Sequence, residues 1–151
     1  MVGQRLSLRA RALSFLARRE HSRAELVRKL QPHTEDPDEL KRLLDDFEQR
    51  GWLSEKRFVE QTVTRLAVKY GVQRIAHTLR EKGVSEAAIA AALADVKSNE
   101  LAAARSVLRR KFSVPPATKE ERARQSRFLQ GRGFDYDVIR RAMRETDDES
   151  G

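Results

Sequence analysis

Cysteine is absent from this sequence of 151 residues, and only 6% of the residues are aromatic. Without thiols the chain can form neither disulfides nor thiolate metal sites, which fits a reducing compartment. Long apolar runs are also missing, so no segment is predicted to cross a bilayer. The arginines spread through residues 1–20 leave no apolar core for a signal peptide. We therefore expect a cytoplasmic protein that does not bind membranes.

Charge is what the sequence has in abundance. Charged residues make up 36% of the chain, and 31 Lys and Arg against 23 Asp and Glu give a formal net charge of +8. An excess of basic residues predicts an anionic partner, and nucleic acid is the first candidate.

The charge is distributed unevenly along the chain. Residues 1–19 contain five arginines and no acids, and residues 101–132 contain nine bases and two acids. Residues 35–48 have the opposite balance, with seven acids and two bases. These segments suggest cationic surfaces for phosphates and an acidic surface for a protein partner. Solvated helix faces without any partner would give the same pattern.

Apolar residues recur at a period of about 50 residues, which indicates three copies of one helical unit. The in-register sets are Leu30, Leu79 and Leu129; Leu40, Ile89 and Ile139; and Leu44, Leu93 and Met143. We predict an all-α, elongated, solenoid-like tandem array of three three-helix units, with about nine helices in total. The predicted units span residues 5–52, 53–97 and 98–146, followed by a disordered acidic tail at 147–151. Such an array needs no second copy, so we expect a monomer.

Local signals place several helix ends. Ser22 and Glu25 have the spacing of a capping box at the start of a helix. Gly71 follows a helix and is predicted to end it in the left-handed conformation. Pro115 and Pro116 forbid helix continuation inside the third unit.

Basic residues of the third unit are the candidates for phosphate contact, because guanidinium groups match phosphate oxygens. The predicted contact residues are Arg105, Arg109, Arg110, Lys111, Arg124, Arg127 and Arg132. Trp52 could stack on a base, but a packing role after the Gly51 helix end, between the first two units, is the stronger interpretation. The same packing role is expected for Tyr70, Phe134 and Tyr136.

No arrangement of residues predicts catalysis. His21, His33 and His77 are scattered and lack metal-ligand spacing. Asp45 and Asp46 are neighbours on a predicted helix and point about 100° apart, which does not suit an acid and base pair. We therefore expect a protein that is not an enzyme and has no catalytic residues, metal or cofactor.

Four segments, taken in order, resemble the RecX family of recombinase regulators. They are residues 21–30 (HSRAELVRKL), 51–60 (GWLSEKRFVE), 75–84 (IAHTLREKGV) and 127–139 (RFLQGRGFDYDVI). The resemblance extends from about Leu8 to Arg144. Each motif alone is modest, whereas four in the family's order are specific.

The resemblance implies a tandem array of three-helix units that binds the RecA filament on DNA. It further implies inhibition of the recombinase, ATPase and co-protease activities of RecA, and hence regulation of homologous recombination, DNA repair and the SOS response. Single- or double-stranded DNA would be bound weakly and without sequence specificity. The alternative is a helix-turn-helix transcription regulator, which would bind duplex DNA tightly at half-sites. The spread of basic residues over different units, without one recognition helix, argues against that alternative.

Overall fold

The fold is entirely helical over residues 6–150, which are the residues that the computed structural model describes, with side chains described as far as Arg144. This part of the chain contains eight α-helices, one short 3-10 helix and no strand. The α-helices are α1 (Leu8–Arg18), α2 (Arg23–Leu30), α3 (Pro37–Gln49), α4 (Glu55–Ala67), α5 (Val72–Glu81), α6 (Glu86–Lys111), α7 (Lys119–Gly131) and α8 (Tyr136–Ser150), and the 3-10 helix is Gln31–His33. The predicted all-α class is confirmed. No described helix combines the length and apolar composition that crossing a membrane requires.

The periodic apolar residues form the core, as the repeat predicts. Each of the in-register residues from Leu30 to Met143 is buried, with a relative exposure of 7% or less. Helices this short are marginal in isolation, so their stability depends on burial of these residues.

The predicted capping box at the start of α2 is present. The Glu25 backbone N–H donates to the Ser22 hydroxyl at 3.1 Å, and the Ser22 N–H donates to the Glu25 carboxylate at 3.1 Å. Asp36 caps α3 by accepting from the Asp38 N–H at 3.0 Å, and Pro37 lies in the first turn, where its missing N–H costs nothing.

One long helix replaces two expected ones. The boundary predicted between residues 97 and 98 falls inside α6, which runs without a break from Glu86 to Lys111. No glycine or proline occurs in this stretch, and Ser98 and Asn99 bond back to the carbonyl of Asp95 at 2.7 and 3.1 Å. These bonds satisfy polar side chains within the helix, so it continues. The described residues therefore hold eight α-helices where about nine were expected.

The chain divides into two compact units. The first comprises residues up to Gln61 together with Glu81–Val84, and the second comprises Thr62–Arg80 together with the residues from Ser85 onward. The predicted second repeat is thus divided between them. Helix α8 continues to Ser150, through most of the segment predicted as a tail, and Gly151 lies outside the described residues.

Candidate nucleic-acid interface

A basic hollow lies on the surface of the second unit, where α6 and α7 meet the segment between α4 and α5. It encloses about 450 Å³. Its lining residues are Lys69, Tyr70, Val107, Arg110, Lys111, Phe128 and Arg132. We call this site the basic hollow. It combines four cations with two aromatic rings, the residue types that bind phosphates and bases.

Two glycines bring the walls of the basic hollow together. The Gly71 N–H donates to the Arg132 carbonyl at 2.9 Å, and the Gln73 N–H donates to the Gly133 carbonyl at 3.0 Å. A Cβ on Gly71 would lie 2.5 Å from the Phe134 Cα, and one on Gly133 would lie 2.5 Å from the Arg74 Cβ. Only glycine allows the two segments to cross this closely.

This crossing corrects the predicted role of Gly71. The positive-φ residues of the described chain are Gly51, Gly83 and Gly133, so Gly71 does not end α4 in the left-handed conformation. Position 71 requires glycine because the backbone of Gly133 and Phe134 passes too close for a side chain. Gly133 is the residue that adopts positive φ, at +86°, beyond the end of α7.

The cations of the basic hollow lie against aromatic rings. The Arg132 guanidinium is 5.3 Å from the Tyr70 ring centroid and 5.1 Å from that of Phe128. The Lys111 ammonium is 5.9 Å from the Phe128 centroid, and the Arg74 guanidinium, which does not line the hollow, is 4.9 Å from the Tyr70 centroid. Each such contact contributes about 0.5–1 kcal/mol at an exposed site. The rings hold these groups in place without neutralising them.

The remaining anchor of the basic hollow is a backbone carbonyl. Arg110 donates to the Val68 carbonyl oxygen at 2.6 Å. Among the residues whose side chains are described, Lys69, Arg110, Lys111 and Arg132 form no ion pair. The positive charge of the site is therefore available to an external anion.

A second hollow of about 330 Å³ lies next to the first and shares Lys111 with it. Arg124 and Glu121 line this second hollow. Glu121 accepts from the Ala117 N–H at 2.6 Å, so part of its charge is used to cap the start of α7. The second hollow is accordingly less basic than the first.

The seven predicted contact residues separate into two groups. Arg110, Lys111 and Arg132 line the basic hollow, and Arg124 lines its neighbour. Arg105, Arg109 and Arg127 line neither. Sequence reasoning missed Lys69, Tyr70 and Phe128 as members of the site. Tyr70 was expected only to pack, and nothing in the sequence shows that its segment crosses the end of α7.

The other aromatic predictions have mixed outcomes. Phe134 is buried as expected, whereas Tyr136 is 73% exposed, so its predicted core role is wrong. Trp52 lies edge-on to Phe47, with ring centroids 5.5 Å apart, and Arg50 covers it at 5.0 Å. Trp52 is 41% exposed, so it packs only in part, and these contacts lie within the first unit. Its predicted position between the first two repeats stays a prediction.

Several cations of the first unit are paired with carboxylates. Glu25, with its side chain only 3% exposed, accepts from Arg19 at 2.8 Å and from Lys82 at 3.1 Å. Burial opposes ionisation of Glu25, but hydrogen bonds from Arg19, Ser22 and Lys82 prevail and lower its pKa to about 2. The carboxylate therefore joins the chain around α2 to the segment that contains Lys82.

His21 lies beside this carboxylate and is almost completely buried. Its Nδ1 is 3.0 Å from the Arg19 carbonyl oxygen, and its Nε2 is 2.8 Å from the Lys29 ammonium. Nδ1 therefore donates and Nε2 accepts, which requires a neutral ring. Burial lowers the pKa of His21 in agreement with this assignment.

The predicted acidic surface of residues 35–48 is largely engaged within its own unit. Asp45 pairs with Arg23 at 2.8 Å, and Asp46 pairs with Arg50 at 2.9 Å. Glu48 pairs with Arg23 at 2.9 Å. These contacts favour the interpretation of this segment as a structural face of α3.

The helices, their repeated core positions and the basic hollow define an all-α protein of tandem three-helix domains. Three family models match successive parts of the chain: RecX, first three-helix domain, over residues 9–46; RecX, second three-helix domain, over 54–93; and RecX, third three-helix domain, over 98–143. The chain belongs to the RecX family of regulatory proteins.

Individual relatives agree with this assignment. The chain is 50% identical to the regulatory protein RecX of Leptothrix cholodnii over 144 residues, which cover 95% of this chain and 92% of the relative. It is 49% identical to the regulatory protein RecX of Herbaspirillum seropedicae, over 91% of this chain and 90% of that one. The crystal structure of RecX from Lactobacillus salivarius has the same fold, with a TM-score of 0.79 at 20% identity over 93% of this chain and 94% of that one.

Proposed function

We propose that this protein is a non-enzymatic, cytoplasmic regulator that binds the RecA filament on DNA and inhibits the recombinase, ATPase and co-protease activities of RecA. Membership of the RecX family supports this proposal. In this role the protein acts as a monomer in homologous recombination, DNA repair and the SOS response. Contact alone restrains the filament, because binding that favours one subunit arrangement shifts the population toward it.

The observation that carries the contact surface is the basic hollow. Three of its four cations, Arg110, Lys111 and Arg132, are anchored by rings or a carbonyl, so an approaching phosphate need not displace a carboxylate. Tyr70 and Phe128 add aromatic surface on which an unstacked base can lie. We infer that Lys111 and Arg132 contact the phosphate backbone within the filament. Such contacts are sequence-independent.

The test is DNA-dependent ATP hydrolysis by RecA on single-stranded DNA. Wild-type protein below the RecA concentration is expected to lower the rate, and the double variant Lys111→Glu and Arg132→Glu is expected to inhibit at least roughly tenfold less well, because two attractive contacts become repulsive. The matched control is Lys119→Glu, an exposed charge reversal in the same unit that lies outside the basic hollow.

The two parts of the proposal fail in different ways. If wild-type protein does not inhibit at any ratio, the regulatory function is wrong. If wild type inhibits but the double variant does so equally well, with unchanged helicity by circular dichroism, the function stands and the basic hollow is not the contact. Tight duplex binding with half-site footprints would instead favour the transcription-regulator alternative.

A further inference from the structure

A second surface of the same unit, between α7 and α8, has a different character from the basic hollow. It is a groove of about 540 Å³, which is within the range of about 300–1,000 Å³ typical of ligand pockets. It shares no lining residue with the basic hollow. We call it the α7–α8 groove.

The floor of the α7–α8 groove is apolar. Phe134, Ile139 and Met143 line it, and each is anchored in the core of the second unit. Tyr136 also lines the groove and is 73% exposed, a large value for an aromatic residue. Methionine adapts its shape to different apolar partners, and an exposed tyrosine supplies contact area at low entropic cost.

The rim of the α7–α8 groove is basic. Arg122 lies on the α7 side, and Arg140 and Arg144 lie on the α8 side. No acidic residue is among the described residues that line it. Arg140 contacts Asp137 at 3.3 Å, but the two side chains are 57% and 80% exposed, so this pair is weak and readily exchanged.

We propose that the α7–α8 groove binds an acidic peptide segment of a partner protein, with an aromatic or aliphatic side chain of that segment seated between Tyr136 and the floor. Arginines grip carboxylates through paired hydrogen bonds, and an apolar floor holds the anchor side chain. Ile139 and Met143 give the floor an aliphatic part, which suits an apolar anchor side chain of a peptide better than a stacked base. The inference goes beyond the proposed function, because it concerns a separate surface and a protein ligand.

The probe is a short fluorescent peptide in which two phenylalanines lie among aspartates, and its binding to the full chain is followed by anisotropy. The double variant Arg140→Glu and Arg144→Glu is expected to weaken binding by roughly tenfold or more, since two attractive charge contacts become repulsive. Tyr136→Ser, at an exposed position that does not threaten folding, is expected to weaken it several-fold. Arg141→Glu is the matched control, because Arg141 is exposed on the same helix and does not line the groove.

Controls on the probe separate this site from general electrostatic attraction. A peptide with serine in place of both phenylalanines keeps the charge and is expected to bind roughly tenfold more weakly. Equal binding of the two peptides, an equal loss in Arg141→Glu, or no binding of the phenylalanine peptide by wild type would overturn the proposal. It would also be overturned if a single-stranded oligonucleotide bound the chain and lost its affinity in the Arg140/Arg144 and Tyr136 variants.

Discussion

Two regions of this chain, the ion pairs of the first unit and the basic hollow of the second, use the same kind of charge in opposite ways. In the first unit, arginines such as Arg19, Arg23 and Arg50 lie within 3 Å of carboxylates. In the basic hollow of the second unit, Arg110 is held by a carbonyl and Arg132 by aromatic rings. A carboxylate cancels the charge that it holds, whereas a ring or a carbonyl leaves it in place.

This difference predicts which cations contribute to the stability of the fold and which contribute to binding. Both ends of the chain are basic in sequence, and both looked like phosphate-binding surfaces by charge alone. In the first unit, Arg19, Arg23 and Arg50 belong to internal ion pairs, so their removal should affect folding. The cations of the basic hollow form no ion pair with the residues whose side chains are described, so their removal should affect binding.

The largest expected effect concerns the backbone crossing that forms the basic hollow. Gly71→Val would place side-chain atoms inside the backbone of Phe134, where no rotation can relieve the overlap. We expect the free energy of unfolding to fall by about 3 kcal/mol or more, the upper end for overpacking. Urea denaturation measures this free energy of unfolding.

Gly131→Ala is the control for Gly71→Val. Gly131 is the last residue of α7, and a Cβ there would contact nothing within 4 Å. Alanine should leave stability unchanged or raise it by up to about 1 kcal/mol. If Gly71→Val and Gly131→Ala change the unfolding free energy equally, the backbone crossing does not restrict position 71 to glycine.

The next largest effect lies in the first unit, at the buried carboxylate. Glu25→Gln keeps the size of the side chain but removes the charge between Arg19 and Lys82, so the unfolding free energy should fall by about 2 kcal/mol. The partners are partly exposed and can rehydrate, which limits the loss. Thermal or urea unfolding at neutral pH measures this free energy. If Glu25→Gln lowers it no more than the exposed substitution Lys41→Gln does, the ion pairs of Glu25 do not stabilise the fold.

The pH dependence of the same variant gives an independent measurement. The folded pKa of Glu25, about 2, is below its value in the unfolded chain. Its contribution is therefore fully present above about pH 5 and is lost as the pH falls toward 2. Wild type should lose stability over this interval more steeply than Glu25→Gln. Parallel curves would show that the carboxylate is not held in its charged form.

A smaller effect distinguishes the two kinds of arginine by binding. Arg132→Gln should weaken binding to single-stranded DNA by about 1 kcal/mol and reduce the slope of log affinity against log salt by about 0.7, the value for one lost phosphate contact. Arg50→Gln, which removes a cation paired with Asp46, should leave the slope unchanged. Anisotropy of a fluorescent oligonucleotide, measured at several salt concentrations, gives the affinity and the slope for both variants. Equal changes in slope would contradict the proposed difference between the two kinds of arginine.

The smallest expected effect is a gain in stability. Glu100 is buried on α6 and accepts from the Val72 N–H at 2.7 Å. Burial raises its pKa, so the folded chain favours the protonated form and loses stability as the pH rises through that raised pKa. Glu100→Gln keeps an acceptor for Val72 and should raise stability at pH 7 by less than about 1 kcal/mol.

The control for Glu100 is the pH itself. Near pH 4 the glutamate and the glutamine at position 100 are both neutral or nearly so. The difference in unfolding free energy between wild type and Glu100→Gln should therefore shrink. A variant that is destabilised at pH 7 would mean that the ionised carboxylate caps α5 better than an amide does, contrary to the direction of its pKa shift.

Local sequence signals predicted much of the fold correctly. The capping box at Ser22, the break at Pro115 and the buried repeat positions depend on interactions within a few residues or on a simple period. The continuous α6 was missed because a repeat boundary need not coincide with a helix end. The predicted boundary lies next to Ser98, but the side chains of Ser98 and Asn99 bond within the helix.

The candidate site was only partly predictable. Arg110, Lys111 and Arg132 were chosen for their charge, which was sufficient to include them but also included Arg105, Arg109 and Arg127. The distinction depends on which cations face Tyr70 and Phe128. For Arg132 that includes Tyr70, which is 62 positions away along the chain.

By itself, the sequence determined the helical class, the repeated core and the cationic excess, because each follows from residue type and spacing. Only the tertiary structure decided which cations are neutralised. Whether a cation meets a carboxylate, a carbonyl or a ring depends on distances of a few ångströms, and in the basic hollow the walls that hold the cations are brought together by two glycines that let one backbone segment cross another.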